Sequence, residues 1–233
     1  MNMLANAYQI EFGGQTLWLD PSGAVYRPGT DSHASRLLVA DLHLGREATL
    51  QQAGISLPNG GTSRTLERLT AVLENYQPAE LWILGDLVHA RDSLTETNWN
   101  EIRSVLARLA RDSIHLIEGN HDRPSRCILS ELLTIHTAPV LAESIWLAHD
   151  AKHDFIEAKI RPEKHPVIAG HVHPGYCIPD TGQRLKCFHY QPNLLTVPAF
   201  GEQTGTTKVT RTANANVLFA TGTSVIPWPS PGM

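Results

Sequence analysis

Three short, largely apolar runs, each stopped by a polar motif, constrain this chain more than any other feature. Leu37-Leu38-Val39-Ala40 runs into Asp41-Leu42-His43, Leu81-Trp82-Ile83-Leu84 into Gly85-Asp86-Leu87-Val88-His89, and Ile114-His115-Leu116-Ile117 into Gly119-Asn120-His121-Asp122. A run without polar alternation is the pattern of a strand covered on both faces. Between the runs lie helical faces, Leu66, Leu69, Val72 and Leu73, then Ile102, Val105, Leu106 and Leu109 behind a cap expected at Thr97. This β-α-β alternation predicts a parallel sheet, and ligands bind such sheets at the carboxyl ends of the strands. The motifs are therefore expected to converge.

The rest of the chain reads as shorter strands. Tyr8–Phe12, Thr16–Asp20 and Ala24–Tyr26 are separated by turn residues at the start, and Ser144–Ala148, Val167–Ala169, Arg184–Phe188, Asn193–Val197 and Val217–Phe219 fill the second half. The change predicts a second, more antiparallel sheet packed on the first, within an α/β fold of two sheets and flanking helices. With 233 residues, 42% of them hydrophobic, one domain over residues 1–225 is expected. Residues 226–233 carry three prolines, at 227, 229 and 231, and are expected to form an irregular tail.

Three cysteines without a CxxC pair, and no basic, apolar leader at the start, fit a reducing cytoplasm. No apolar stretch approaches the ~18 residues a membrane helix needs. A net charge of -4 argues against a generally basic nucleic-acid-coating surface. It leaves a locally positive site open, because two bound divalent cations would add about four charges at one point.

Two further motifs, His149-Asp150 and Gly170-His171-Val172-His173, follow apolar runs in the same way. Taken singly, such motifs are ordinary: an Asp after a strand caps a helix, Gly-Asn makes a turn, a lone His packs in a core. Five in succession supply two carboxylates, an amide oxygen and four imidazoles, the mixed oxygen and nitrogen set that transition ions accept and magnesium or calcium do not favour.

The order DxH, GDxxH, GNHD, a lone His and GHxH resembles the calcineurin-like metallophosphoesterases over roughly Leu37 to Glu202. Val39-Ala40-Asp41-Leu42-His43-Leu44-Gly45, Leu84 through Arg91, and Val197-Pro198-Ala199-Phe200-Gly201 look like a bacterial branch of that superfamily, the ligase-associated DNA damage response endonucleases of PdeM type. The resemblance implies a two-sheet mixed β-sandwich flanked by helices. It implies Asp41, His43 and His173 on one metal, Asn120, His149 and His171 on a second, and Asp86 bridging. A bridging anion is needed because the cations of such a pair lie only about 3.5–4 Å apart. It further implies in-line attack of a bridging hydroxide on phosphorus. His121 then stands beside the leaving group as acid, its ring oriented by Asp122. Manganese is the expected ion, with iron, cobalt, nickel or zinc as alternatives. DNA is the expected substrate, DNA repair the setting, and a DNA ligase the functional partner. Two departures stand out: Asp150 follows the lone His where glycine is common, and the third motif ends in Asp122 rather than the frequent Glu.

Other residues carry weaker signals. His89 has no metal left to bind, and support or a substrate contact is read as evenly balanced against plain packing. Arg46, Arg123 and Arg126 follow motifs closely enough to grip flanking phosphates, although loop arginines are mostly just solvated. Cys187 lies in a buried-strand pattern and reads as core. Besides a DNA endonuclease, the motifs fit a nucleotide or small-molecule phosphatase or pyrophosphatase on the same fold, since specificity lies in the loops. A non-catalytic scaffold fits less well, because such a protein should show eroded ligands.

Overall fold

The computed structural model describes residues 6–110, 113–160, 162, 164–179 and 181–228. Strands β1 (Tyr8–Phe12), β2 (Gln15–Leu19), β3 (Val25–Arg27), β4 (Arg36–Val39), β5 (Glu80–Leu84), β6 (Ile114–Ile117) and β7 (Thr134–His136) form one sheet in chain order. Its first half is an antiparallel meander and β4 to β7 are parallel. Helices α1 (Arg46–Gln52), α2 (Gly61–Tyr76), α3 (Glu96–Leu106) and α4 (Arg126–Leu129) lie in the crossovers.

The second sheet follows: β8 (Val140–Ala142), β9 (Ile145–Ala148), helix α5 (His153–Glu157), β10 (Val167–Ala169), β11 (Pro174–Cys177), β12 (Arg184–Gln191), β13 (Leu194–Thr196), β14 (Thr207–Lys208), β15 (Asn216–Ala220) and β16 (Val225–Pro227). Its path runs β14-β11-β12-β13-β10-β9-β8, with β15 joining β12 to β16. This sheet is more mixed than its short strands predict, because β9, β10 and β13 are mutually parallel.

Alternation along β4 shows how the layers are held. Leu37 and Val39 pack with Leu66, Leu69 and Ile102 of α2 and α3, whereas Leu38 and Ala40 face Ile145, Leu147, Ile168 and Phe188 of the second sheet. A buried side chain of this size contributes about 1.5–3 kcal/mol. Burial on both faces is thus what made the run apolar throughout.

Two expectations need correction. Thr95, not Thr97, caps α3, its hydroxyl accepting from Asn98 N at 3.2 Å. Ile226 and Pro227 belong to β16, and Trp228 packs edge-on against Phe219 with ring centroids 5.5 Å apart, so the expected tail does not begin at 226. A proline is tolerated there because β16 is an edge strand. Residues 229–233 lie outside the described residues.

Strands β4, β5, β6, β9 and β10 run directly into the five motifs. Their loops are stitched together by Asp41 N to Gly85 O (3.1 Å), His43 N to Asp86 O (2.9 Å), Gly170 N to His149 O (3.1 Å) and Phe200 N to Ala40 O (2.7 Å).

Candidate metal centre

The parallel strands deliver the motif residues to one crevice. His43 Nε2 lies 3.3 Å from His173 Nε2, which lies 3.5 Å from Asp41 Oδ1. Next to this group, His149 Nε2 lies 3.0 Å from His171 Nδ1 and 3.2 Å from Asn120 Oδ1. Asp86 stands between them, its Oδ2 3.6 Å from both His43 Nε2 and His149 Nε2. All seven residues assigned by resemblance thus meet, in two groups that share one carboxylate. Asp41, His43, Asp86 and His149 form a buried floor, while Asn120 and His171 are exposed at the rim.

The donors fit divalent cations. Adjacent ligand atoms about 2.0–2.2 Å from one ion lie about 3–3.6 Å from one another, close to the separations given above. Asp41 Oδ1 is buried without any hydrogen-bond partner, a costly state for a carboxylate oxygen unless a cation faces it. The backbone also carries strain here: Asp41, His43, Asp86, His171 and His173 all have positive φ, between 47° and 66°. Each such residue costs on the order of 1–3 kcal/mol, and such strain gathers where geometry serves a site.

Two motif glycines are required by close approach. A Cβ on Gly119 would overlap Asp86 Oδ1, and one on Gly85 would overlap the His149 ring. Each leaves room for a ligand from a different motif.

Hydrogen bonds decide which nitrogen each ring offers. His149 Nδ1 lies 3.1 Å from the Leu84 carbonyl, which can only accept, so the proton sits on Nδ1 and the lone pair on Nε2. Burial, reinforced by His173, His121, His89 and Arg46, pushes His43 down to about 2, keeping the ring neutral. Burial opposes a charge on His149, yet Asp86 and Asp41 outweigh it and its pKa is raised. The field that favours a proton there equally favours a metal cation.

His121 is placed by residues other than the one expected. Asp122 is fully buried and accepts from Gly119 N (3.0 Å) and Val88 N (3.2 Å). Its role is to hold the third motif's turn against the second motif. Burial, with Asp86 adding to it, pushes Asp122 up to about 7. The His121 ring is oriented instead by the His89 carbonyl, 2.5 Å from Nδ1, and stacks on the His89 ring at 5.1 Å. His89 Nδ1 also lies 3.4 Å from His43 Nδ1. His89 therefore supports both a candidate ligand and the candidate acid, and burial followed by Arg46 lowers its own pKa to about 4.

The arginines separate. Arg46 lies in a cleft beside His43 and Glu47, and its buried Nε has no hydrogen-bond partner. Arg123 forms an exposed pair with Glu157 at 2.7 Å, and Arg126 a bidentate pair with Glu118 at 2.5 Å. Cys187 is fully buried, as its pattern predicts. A concavity of about 690 Å³ between α2 and α3 contains none of the motif residues.

One support escapes sequence reasoning altogether. Lys186 Nζ donates to the carbonyls of Ala199 (2.8 Å) and Gly201 (2.6 Å) and to Thr204 Oγ1 (3.0 Å), and Arg68 donates to the intervening Phe200 carbonyl. Three consecutive carbonyls are thus tied down, while Phe200 N and Gly201 N bind the backbone of Ala40 and Asp41. Burial lowers Lys186 to about 8. An isolated lysine in a strand carries no sequence signal of this kind.

The crystal structure of Pseudomonas putida nuclease MPE is 31% identical and superposes with a TM-score of 0.78, covering 96% of this chain and 100% of that one. The phosphoesterase Yfce from E. coli is 16% identical, with a TM-score of 0.41 over 82% of this chain and 96% of its own. The Aquifex aeolicus protein of unknown function AQ665 is 19% identical, with a TM-score of 0.41 over 59% of this chain and 78% of its own. Among curated proteins none matches the chain. Residues 35–197, which hold the five motifs that supply the candidate ligands, match the family model of the calcineurin-like phosphoesterases, a hydrolase fold that employs divalent metals, and the chain belongs to that family.

Proposed function

We propose that this protein is a metal-dependent phosphodiesterase that cuts DNA internally. The observation that carries the reading is Asp86 Oδ2, 3.6 Å from His43 Nε2 on one side and from His149 Nε2 on the other. A carboxylate oxygen shared by two donor groups is the arrangement a dinuclear site requires. Asp41, His43 and His173 would hold one cation, Asn120, His149 and His171 the other, and Asp86 both. The imidazole-rich set favours manganese over magnesium. Bound there, the pair would polarise a phosphate and lower the pKa of an attacking water.

The chain's own residues do the remainder. Because the His89 carbonyl only accepts, His121 keeps a proton on Nδ1, leaving Nε2 to hold a second proton and pass it to the departing oxygen. The open rim at Asn120 and His171 admits a polymer, and the guanidinium of Arg46, in the cleft beside His43, would meet a flanking phosphate. Similarity to the P. putida nuclease supports nucleic acid as the substrate class. The branch motifs extend the proposal to cytoplasmic DNA repair in functional association with a DNA ligase.

The test compares closed circular, single-stranded and linear duplex DNA with nucleotide and pyrophosphate substrates under manganese. Cleavage of the circle and the single strand is expected. An intact circle beside rapid nucleotide or pyrophosphate turnover would replace this reading with the small-molecule one.

A further inference from the structure

His171 is the most exposed of the candidate ligands held through an imidazole, and the structure shows what limits its ring. Its N–H donates to Asp41 Oδ2 at 2.8 Å and its φ is 66°. The ring then points Nδ1 inward, 3.0 Å from His149 Nε2, and Nε2 outward, 3.5 Å from Asp150 Oδ2. His149 already presents its lone pair at Nε2. Both rings offer lone pairs to the same point only when His171 carries its proton on Nε2.

Asp150 is held so as to impose that state. The N–H groups of His149 and Asp150 both donate to Asp154 Oδ2, at 2.9 and 2.8 Å, which fixes the backbone carrying the carboxylate. Oδ1 is taken by the N–H groups of Lys152 (2.8 Å) and His153 (3.1 Å) at the start of α5. Oδ2 is left for His171, and a carboxylate can only accept.

We propose that Asp150 is a positioning residue that holds His171 as its Nε2-protonated tautomer, making Nδ1 the standing donor to the second cation. The role toward the cation rests on the two-cation reading above. Outer partners of metal-bound histidines act in this way, and their loss typically weakens metal binding about 10- to 100-fold.

A purely capping role for Asp150 makes a different prediction, so two variants separate them. In Asp150→Asn the amide oxygen can replace Oδ1 at the cap, but the amide nitrogen can then only donate to His171 Nε2, favouring the opposite tautomer. Asp150→Ser keeps a capping oxygen and offers His171 no carboxylate. Long-range proton–nitrogen NMR of protein labelled at histidine and loaded with zinc, a diamagnetic divalent ion, reads the tautomer, with His171→Gln identifying the resonance. Calorimetric titration with manganese reads each binding step.

The expected results are Nε2–H in the wild type and a shift toward Nδ1–H in Asp150→Asn. One manganese step should weaken about 10- to 100-fold in Asp150→Asn and less in Asp150→Ser, with the other step unchanged. An unchanged tautomer in Asp150→Asn, or two wild-type binding steps in that variant, overturns the proposal while the two-cation reading stands. Fewer than two steps in the wild type overturns that reading and, with it, the role of Asp150 toward a cation.

Discussion

Asp86 Oδ1 accepts the backbone N–H of His121 at 3.0 Å. One carboxylate therefore spends one oxygen on fixing the third motif and leaves the other, Oδ2, facing His43 and His149. Asp86→Ala should lose at least one manganese ion and nearly all hydrolysis. Metal analysis with circular dichroism checks this, and wild-type occupancy in a folded variant would contradict the assignment.

Gly119→Ala tests the same centre without touching a donor atom. Its Cβ would overlap Asp86 Oδ1, so either the carboxylate or the third-motif turn must shift. Manganese affinity should fall although every ligand remains. A variant that binds manganese as the wild type does would show that the crevice relaxes around the methyl group.

His121→Ala should retain manganese yet lower DNA cleavage by roughly 10²–10⁴-fold. Loss on a nitrophenyl phosphodiester should be smaller, since nitrophenolate departs without protonation. Equal losses on both substrates would make His121 a binding residue. Asp122→Asn should act on stability instead, because an amide cannot accept from both Gly119 N and Val88 N. A loss of about 1–3 kcal/mol is expected, read by thermal melting.

Arg46→Ala and Arg123→Ala should differ. Arg46 lies in the cleft beside His43, whereas Arg123 is engaged with Glu157 at the surface. Neutralising Arg46 should depress DNA cleavage while sparing a small phosphodiester, and neutralising Arg123 should change both little. Equal effects on DNA would mean that the surface pair opens to substrate.

Lys186→Met should destabilise the fold and weaken manganese binding together. It removes the donor to Ala199 and Gly201, whose segment holds the backbone of Ala40 and Asp41. Buried acceptors left without a donor cost about 1–3 kcal/mol each. A melting curve and a manganese titration on the same sample check the coupling.

The motif residues and the strands that carry them were legible in the sequence because both signals are local. Leu37 through Ala40 are apolar at every position because both faces of β4 are covered, and Asp41 follows directly where that strand meets the crevice. Only the tertiary structure decided how those residues act. That Asp122 serves the turn while the His89 carbonyl orients His121, that Asp86 divides its two oxygens, and that Asp150 meets His171 depend on contacts between loops brought side by side by strand register. The same holds for Lys186, which finds its acceptors in a segment that turns back onto β4. A motif names the donor atoms a loop can supply. Which partner each atom meets is set by the pairing of distant strands, and that pairing leaves no mark at the donor's own position.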